Sequence, residues 1–145
     1  MGRNYIGDIP NPHIRDFQRK RLYQAEEFCS FWDNLKILST EEVESLVHDI
    51  ANYFNIKTPK ILNEGHNYVY ATQNVISLPY PNTKTLPYIL HEMSHVINYN
   101  SDFADHHGKY FATTYLKVVR HFSSISDYKE LKHSLNKHKV QYLTD

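Results

Sequence analysis

A single cysteine, Cys29, leaves no internal disulfide framework and no cysteine-rich zinc ribbon to hold this chain together. No apolar run approaches the roughly 20 residues needed to cross a bilayer, so no membrane partner is expected. Charge of one sign is not in excess either. Lys plus Arg and Asp plus Glu stand at 16 each, and no whole-molecule field draws the protein to nucleic acid or anionic lipid. No basic segment followed by an apolar run stands near the start, and Ile6 occupies the position where a myristoylation signal after Gly2 requires Ser or Thr. The expected address is a reducing cytoplasm. There is no internal repeat and no low-complexity linker, and 145 residues suit one domain around a single core.

What the chain has in excess is 12 tyrosines and 10 histidines, residue types that line sites as readily as they fill interfaces. Gly7, Pro10 and Pro12 mark residues 1–13 as an irregular arm, followed by a helix expected from about Ile14 to Leu35 with Arg15, Arg19, Lys20 and Arg21 near its start. In "STEEVESLVHDIANYFN", Ser39 or Thr40 is the N-cap, the early glutamates suit the positive helix end, and Val43, Leu46, Val47, Ile50 and Phe54 recur at helical spacing. Between Lys60 and Pro81 the pattern turns to Val, Ile and Tyr. This predicts a short strand near Ile61 and a hairpin pairing about Asn67–Ala71 with Val75–Leu78, with Tyr68 and Tyr70 on one face. Two helices, "TLPYILHEMSHVINY" and "HGKYFATTYLKVVRHF", precede a basic segment over 123–145 whose Leu131, Leu135 and Tyr142 share a side. Helices, a small sheet and helices again make the expected class α+β.

Within the third helix, "HEMSH" sets His91 and His95 four residues apart with Glu92 directly after the first. At 100° per residue Leu86, Ile89, Leu90, Met93, Val96 and Ile97 gather on one face, and Tyr88, His91, His95 and Asn98 on the opposite one. Two histidines at that spacing can share one Zn²⁺, while the adjacent carboxylate reaches a water that the metal activates. The same wheel also describes an amphipathic helix whose wet side carries histidine. A third ligand separates the two readings, because catalytic zinc takes three protein ligands and keeps one position open. The metzincin pattern fails, with Asn98 and Ser101 where Gly and His would stand, and the only glutamate after Glu92 is the distant Glu130. "DFADHHGKYF" supplies His106 and His107 instead. At the start of the next helix His107 would share a face with Phe111, Thr114 and Val118, and His106 would point elsewhere.

HExxH, a loop and then His107-Gly108-Lys109-Tyr110-Phe111 together resemble the SprT-like zincin metallopeptidases and their small metallohydrolase relatives. "NVISLPYPNTKTLPYILHEMSHVI" adds to the likeness, which spans Gly65 to Phe122. The resemblance implies a minimal zincin-like fold in which His91, His95 and His107 ligate zinc and Glu92 is the catalytic base. The crosslink-repair role of DNA-linked members is not carried over. Tyr88, Asn98, His106 and Tyr110 are the candidates for contacts to the substrate or transition state; a hairpin edge able to accept an extended strand would favour a peptide or protein substrate, and a hairpin that merely caps the core is the equal alternative. Two further readings stand beside the peptidase. One is a non-catalytic binding protein stabilised by zinc with His106 as fourth ligand. The other is a nucleic-acid-associated protein using the N-terminal basic cluster with Lys129, Lys132, Lys137 and Lys139, against which solvated helix faces are the simpler account. Cys29, Phe28, Phe31 and Trp32 are expected in the core, and His48, His66, His121, His133 and His138 at the surface or at caps.

Overall fold

The structure, a computed structural model, describes residues 16–63 and 67–144. The expected N-terminal arm, Arg15 and the turn at His66 lie outside the described residues. Helix α1 runs Arg19–Glu27 and turns Leu22, Ala25 and Glu26 inward. It does not continue to Leu35 as its pattern predicts. Glu130 captures both the backbone N–H and the hydroxyl of Ser30 at 2.8 Å, bonds that a continuing helix would deny the N–H, and Asn34 Oδ1 accepts from Lys36 N at 3.2 Å. The chain therefore leaves the helix through a 3₁₀ turn, Ser30–Asp33, that buries Phe31 and Trp32. Phe28, expected in the core with them, is 70% exposed and stacks on His138. Cys29 is buried as expected.

Helix α2, Thr40–Tyr53, starts with a complete capping box: Ser39 Oγ accepts from Glu42 N and the Glu42 carboxylate accepts from Ser39 N. These bonds from Ser39 hold the Glu42 carboxyl below its ordinary value. Ser39→Ala is expected to lower the free energy of unfolding by about 1 kcal/mol in a urea titration near neutral pH. A depressed folded pKa contributes stability above the unfolded pKa and loses it as pH falls through the folded one. The backbone N–H of residue 39 that lowers Glu42 most is kept by alanine, so wild type and variant should lose this part together at acid pH and the gap narrow only by the share of the Ser39 hydroxyl.

Three short strands follow: β1, Lys60–Leu62; β2, Tyr70–Ala71; and β3, Val75–Ser77. The hairpin is real but shorter than expected, with Tyr70 opposite Ser77 and Ala71 opposite Ile76. Tyr68 falls before the strand, where its carbonyl accepts from Ser77 Oγ at 2.7 Å. β1 joins parallel to β3, giving the order β1-β3-β2. Helices α3 (Leu86–Tyr99), α4 (Lys109–Phe122) and α5 (Ile125–Lys137) complete the α+β chain. α3 is the hub. It packs on α4, α2, β2 and β3, while α5 joins α4 to α1. α5 starts at Ile125, inside the basic segment, because Ser124 caps it, accepting from Asp127 N at 3.0 Å. Leu131 and Leu135 are buried, and Tyr142 lies past the helix with its hydroxyl on Asn136. His48, His121 and His138 bond Thr58, Tyr53 and the Ser134 carbonyl, the peripheral duties expected of them. No helix among the described residues is long and apolar enough to cross a membrane.

Candidate metal centre

The apolar face of α3 is where its spacing puts it, with Ile89, Leu90, Met93 and Val96 in the core. The opposite face is not wet. His91 and Glu92 are 0% exposed and His95 1%, because α1 and the start of α4 close over them. This overturns the reading of "HEMSH" as a solvated helix side.

The third histidine arrives through a short built loop. Asn98 of α3 donates to Asp105 Oδ1 at 3.1 Å, and the Asp105 carboxylate accepts from Tyr110 N at 2.8 Å and Phe111 N at 3.0 Å, which satisfies two orphan donors of α4. That carboxylate occupies the place a β-carbon on residue 108 would need, so glycine is required there for close approach. His106 reverses the chain in a left-handed conformation, φ 56°. His107 then sits just before the helix N-cap, Gly108, rather than on the first turn of α4 as predicted, and is 1% exposed.

One ligand atom from each of His91, His95 and His107 lies within 4.8 Å of the other two. Nε2 of His95 and Nε2 of His107 are 3.1 Å apart, close to the roughly 3.3 Å that separates two nitrogens on a tetrahedral zinc. The Phe111 ring, 4.3 Å from that of His95 and 5.1 Å from that of His107, forms an apolar floor. Glu92 Oε2 is 3.9 Å from His91 Nε2.

Behind the histidines stand carboxylates that no motif announces. His91 Nδ1–H donates to Glu26 Oε2 at 2.6 Å, and His107 Nδ1–H donates to Asp16 Oδ2 at 2.8 Å. A proton held on Nδ1 leaves the ring lone pair on Nε2, the nitrogen facing the cluster, and a carboxylate behind the ring raises its basicity as a ligand. Glu26 is itself held. Tyr115 donates its hydroxyl to Oε2 at 2.6 Å, and Trp32 Nε1–H donates to the Tyr115 oxygen at 3.0 Å. Burial, and then the charge of Glu26, push the Tyr115 hydroxyl well above its ordinary value, so it keeps its proton and remains a donor.

Comparison of the chain with protein-family models, with curated proteins and with solved structures finds no match in any of the three.

The four expected contact residues have other attachments. Tyr88 packs edge-on against Trp32 at 5.1 Å, and Asn98 is bonded to Asp105. His106 Nδ1 pairs with the Tyr99 hydroxyl at 3.0 Å, and Tyr110 stacks on Phe103 at 4.8 Å. His106 is outside the three-histidine cluster, which among the described residues contains no fourth protein ligand. Tyr23 of α1 is the residue the spacing argument missed. Its hydroxyl is 3.3 Å from His107 Nε2.

Proposed function

We propose that this protein is a zinc-dependent hydrolase that cleaves peptide bonds. The observation that carries the reading is three buried histidines within 4.8 Å with the Glu92 carboxylate beside them, 3.9 Å from His91 Nε2. The donor set fits zinc: neutral imidazoles, two of them oriented by carboxylates, and a fourth position left for water or substrate. A divalent cation among the histidines would also be the counter-charge for Glu92, Glu26 and Asp16, which burial otherwise makes costly to ionise. When bound, the metal supplies Lewis acidity that polarises the scissile carbonyl and acidifies water.

The chain's own residues do the rest. His91, His95 and His107 hold the ion, and Asp16 and Glu26 fix the tautomers of two of them. Glu92 takes a proton from the attacking water and hands it to the leaving amine. Its burial keeps competing solvent away.

Zinc content by mass spectrometry on protein purified without added metal, followed by peptide-library cleavage with and without chelator, tests the proposal. About one zinc per chain and cleavage that chelator abolishes and zinc restores is the expected result. A folded protein that takes up no zinc at micromolar concentration would end the metallohydrolase reading. The supporting carboxylates give a graded check. Glu26→Gln and Asp16→Asn should each weaken zinc binding by about 10–100-fold in competition with a chromophoric chelator.

A further inference from the structure

Basic and acidic residues balance over the whole chain, yet one groove carries cations alone. On α4 Phe111, Tyr115 and Val118 are buried, so at 100° per residue Thr113, Lys117 and Arg120 face the other way. There α5 and residues 142–144 meet α4 around a groove of about 560 Å³. Lys117, Arg120 and Lys132 line it, and no carboxylate does. Among the described residues none of the three is within ion-pair distance of an acidic group.

The groove has a built wall. Gln18 Nε2 donates to the Gln141 carbonyl at 2.9 Å, and Gln141 N donates to Gln18 Oε1 at 2.8 Å. Leu143 N then donates to Thr113 Oγ1 at 2.8 Å, and the Tyr142 hydroxyl donates to Asn136 Oδ1 at 2.8 Å. These bonds hold residues 141–143 against α1, α4 and α5, where Leu143 joins Leu116 as apolar lining. The aromatic ring in the groove is already engaged. Arg120 lies over Tyr128 at 5.3 Å and Lys132 at 5.8 Å. A ring that holds two cations is a poor platform for a nucleic-acid base, and three cations give a nucleic-acid backbone few contacts.

From this we infer that the groove docks a short acidic segment of a protein partner, its carboxylates paired with Lys117, Arg120 and Lys132 and an apolar side chain set against Leu116 and Leu143. Arginine offers a carboxylate a planar fork, and the lysines offer point charges that a flexible acidic side chain can reach. The size agrees. Thr113 to Arg120 covers about 10 Å of helix, which an extended chain spans in about three residues. The inference does not rest on the hydrolase reading, because the groove lies on the face of α4 turned away from Phe111 and the histidines it floors.

Fluorescence anisotropy of the full chain with a labelled peptide, one leucine flanked on each side by two glutamates, tests it. Arg120→Gln combined with Lys132→Gln should weaken binding about 10-fold, and Lys117→Glu several-fold. Lys117 is exposed and is not one of the cations over Tyr128, so its loss reports charge and not disturbed packing. Affinity should also fall as ionic strength rises from about 0.05 to 0.3 M. The same peptide with glutamine in place of glutamate should bind at least about 10-fold more weakly. No binding of the glutamate peptide at millimolar concentration, equal binding of the glutamine peptide, or unchanged affinity in both variants would overturn the inference. So would a short oligothymidylate that binds more tightly than the peptide and is weakened by the same variants, which would make the groove a nucleic-acid site.

Discussion

Glu92→Gln is expected to lower kcat/KM of the zinc-loaded protein by about 10²–10⁴-fold while zinc stoichiometry stays that of wild type. The amide matches the carboxylate in shape, so a side chain that is 0% exposed keeps its packing, but the amide has no lone pair basic enough to accept a proton from water. The histidines hold the ion without it, which is why metal content should not follow activity down. Zinc measured by mass spectrometry on the protein samples used for cleavage assays checks both halves. Unchanged cleavage would remove Glu92 from the chemistry, and loss of zinc together with activity would make it a ligand instead of a base. This result also separates the hydrolase from a binding protein that uses zinc only to stay folded, because the latter has no turnover for Glu92→Gln to abolish.

The parts of the site that could be read from the chain are those whose geometry is set by local spacing. His91, Glu92 and His95 stand on one helix, and a helix fixes their relation whatever else the protein does. His107 is within reach because the loop from Asn100 to Gly108 is short, and the pairing of Gly108 with Phe111 has a physical cause in the Asp105 carboxylate that fills the space beside the glycine. The second layer obeys no such rule. Glu26 is 65 residues from His91 in the chain, and Asp16 is 91 from His107, so only the tertiary packing of α1 brings them in. One signal was nevertheless present. Glu26 falls at helical spacing among Leu22, Ala25 and Cys29, all buried, and a carboxylate in an apolar stripe is costly unless it is hydrogen-bonded to something. Asp16, three residues before α1, and Tyr23 on α1 reach the same histidine from adjoining segments of the chain. No comparable stripe exposes them, because Tyr23 is only half-buried.

The fold divides in the same way. α2, α3 and α5 follow their apolar periodicity, with the Ser39 box marking one start. The end of α1 is decided by Glu130, 100 residues away, and the parallel partner of β1 by strand order, neither of which a local window contains. The burial of both faces of α3 belongs with these. Amphipathicity correctly separated its polar side from its apolar side, but a polar side is wet only when nothing covers it, and here α1 and α4 do.

Removal of the third ligand is the second large effect. A zinc held by three histidines and present at a hundredfold over its Kd adds about 2.7 kcal/mol to folding stability, a rise in Tm of roughly 5–10 °C for a chain of this length. His107→Ala should abolish that rise and leave no zinc bound after gel filtration, because two histidines on α3 alone offer too few donors. The comparison must be made within each variant, with and without zinc, since alanine at 107 also strips a partner from the Asp16 carboxylate and lowers the metal-free baseline. The neighbouring histidine is the control. His106 has φ 56°, where alanine would be strained, so His106→Asn is the better substitution. It removes the bond to Tyr99 and nothing from the cluster, and should keep both the zinc and the thermal shift. Loss of zinc in both variants would mean that the loop as a whole, not the His107 nitrogen, governs binding. Retention in both would leave His91 and His95 with some other third donor and undo the assignment on which the chemistry of Glu92 depends.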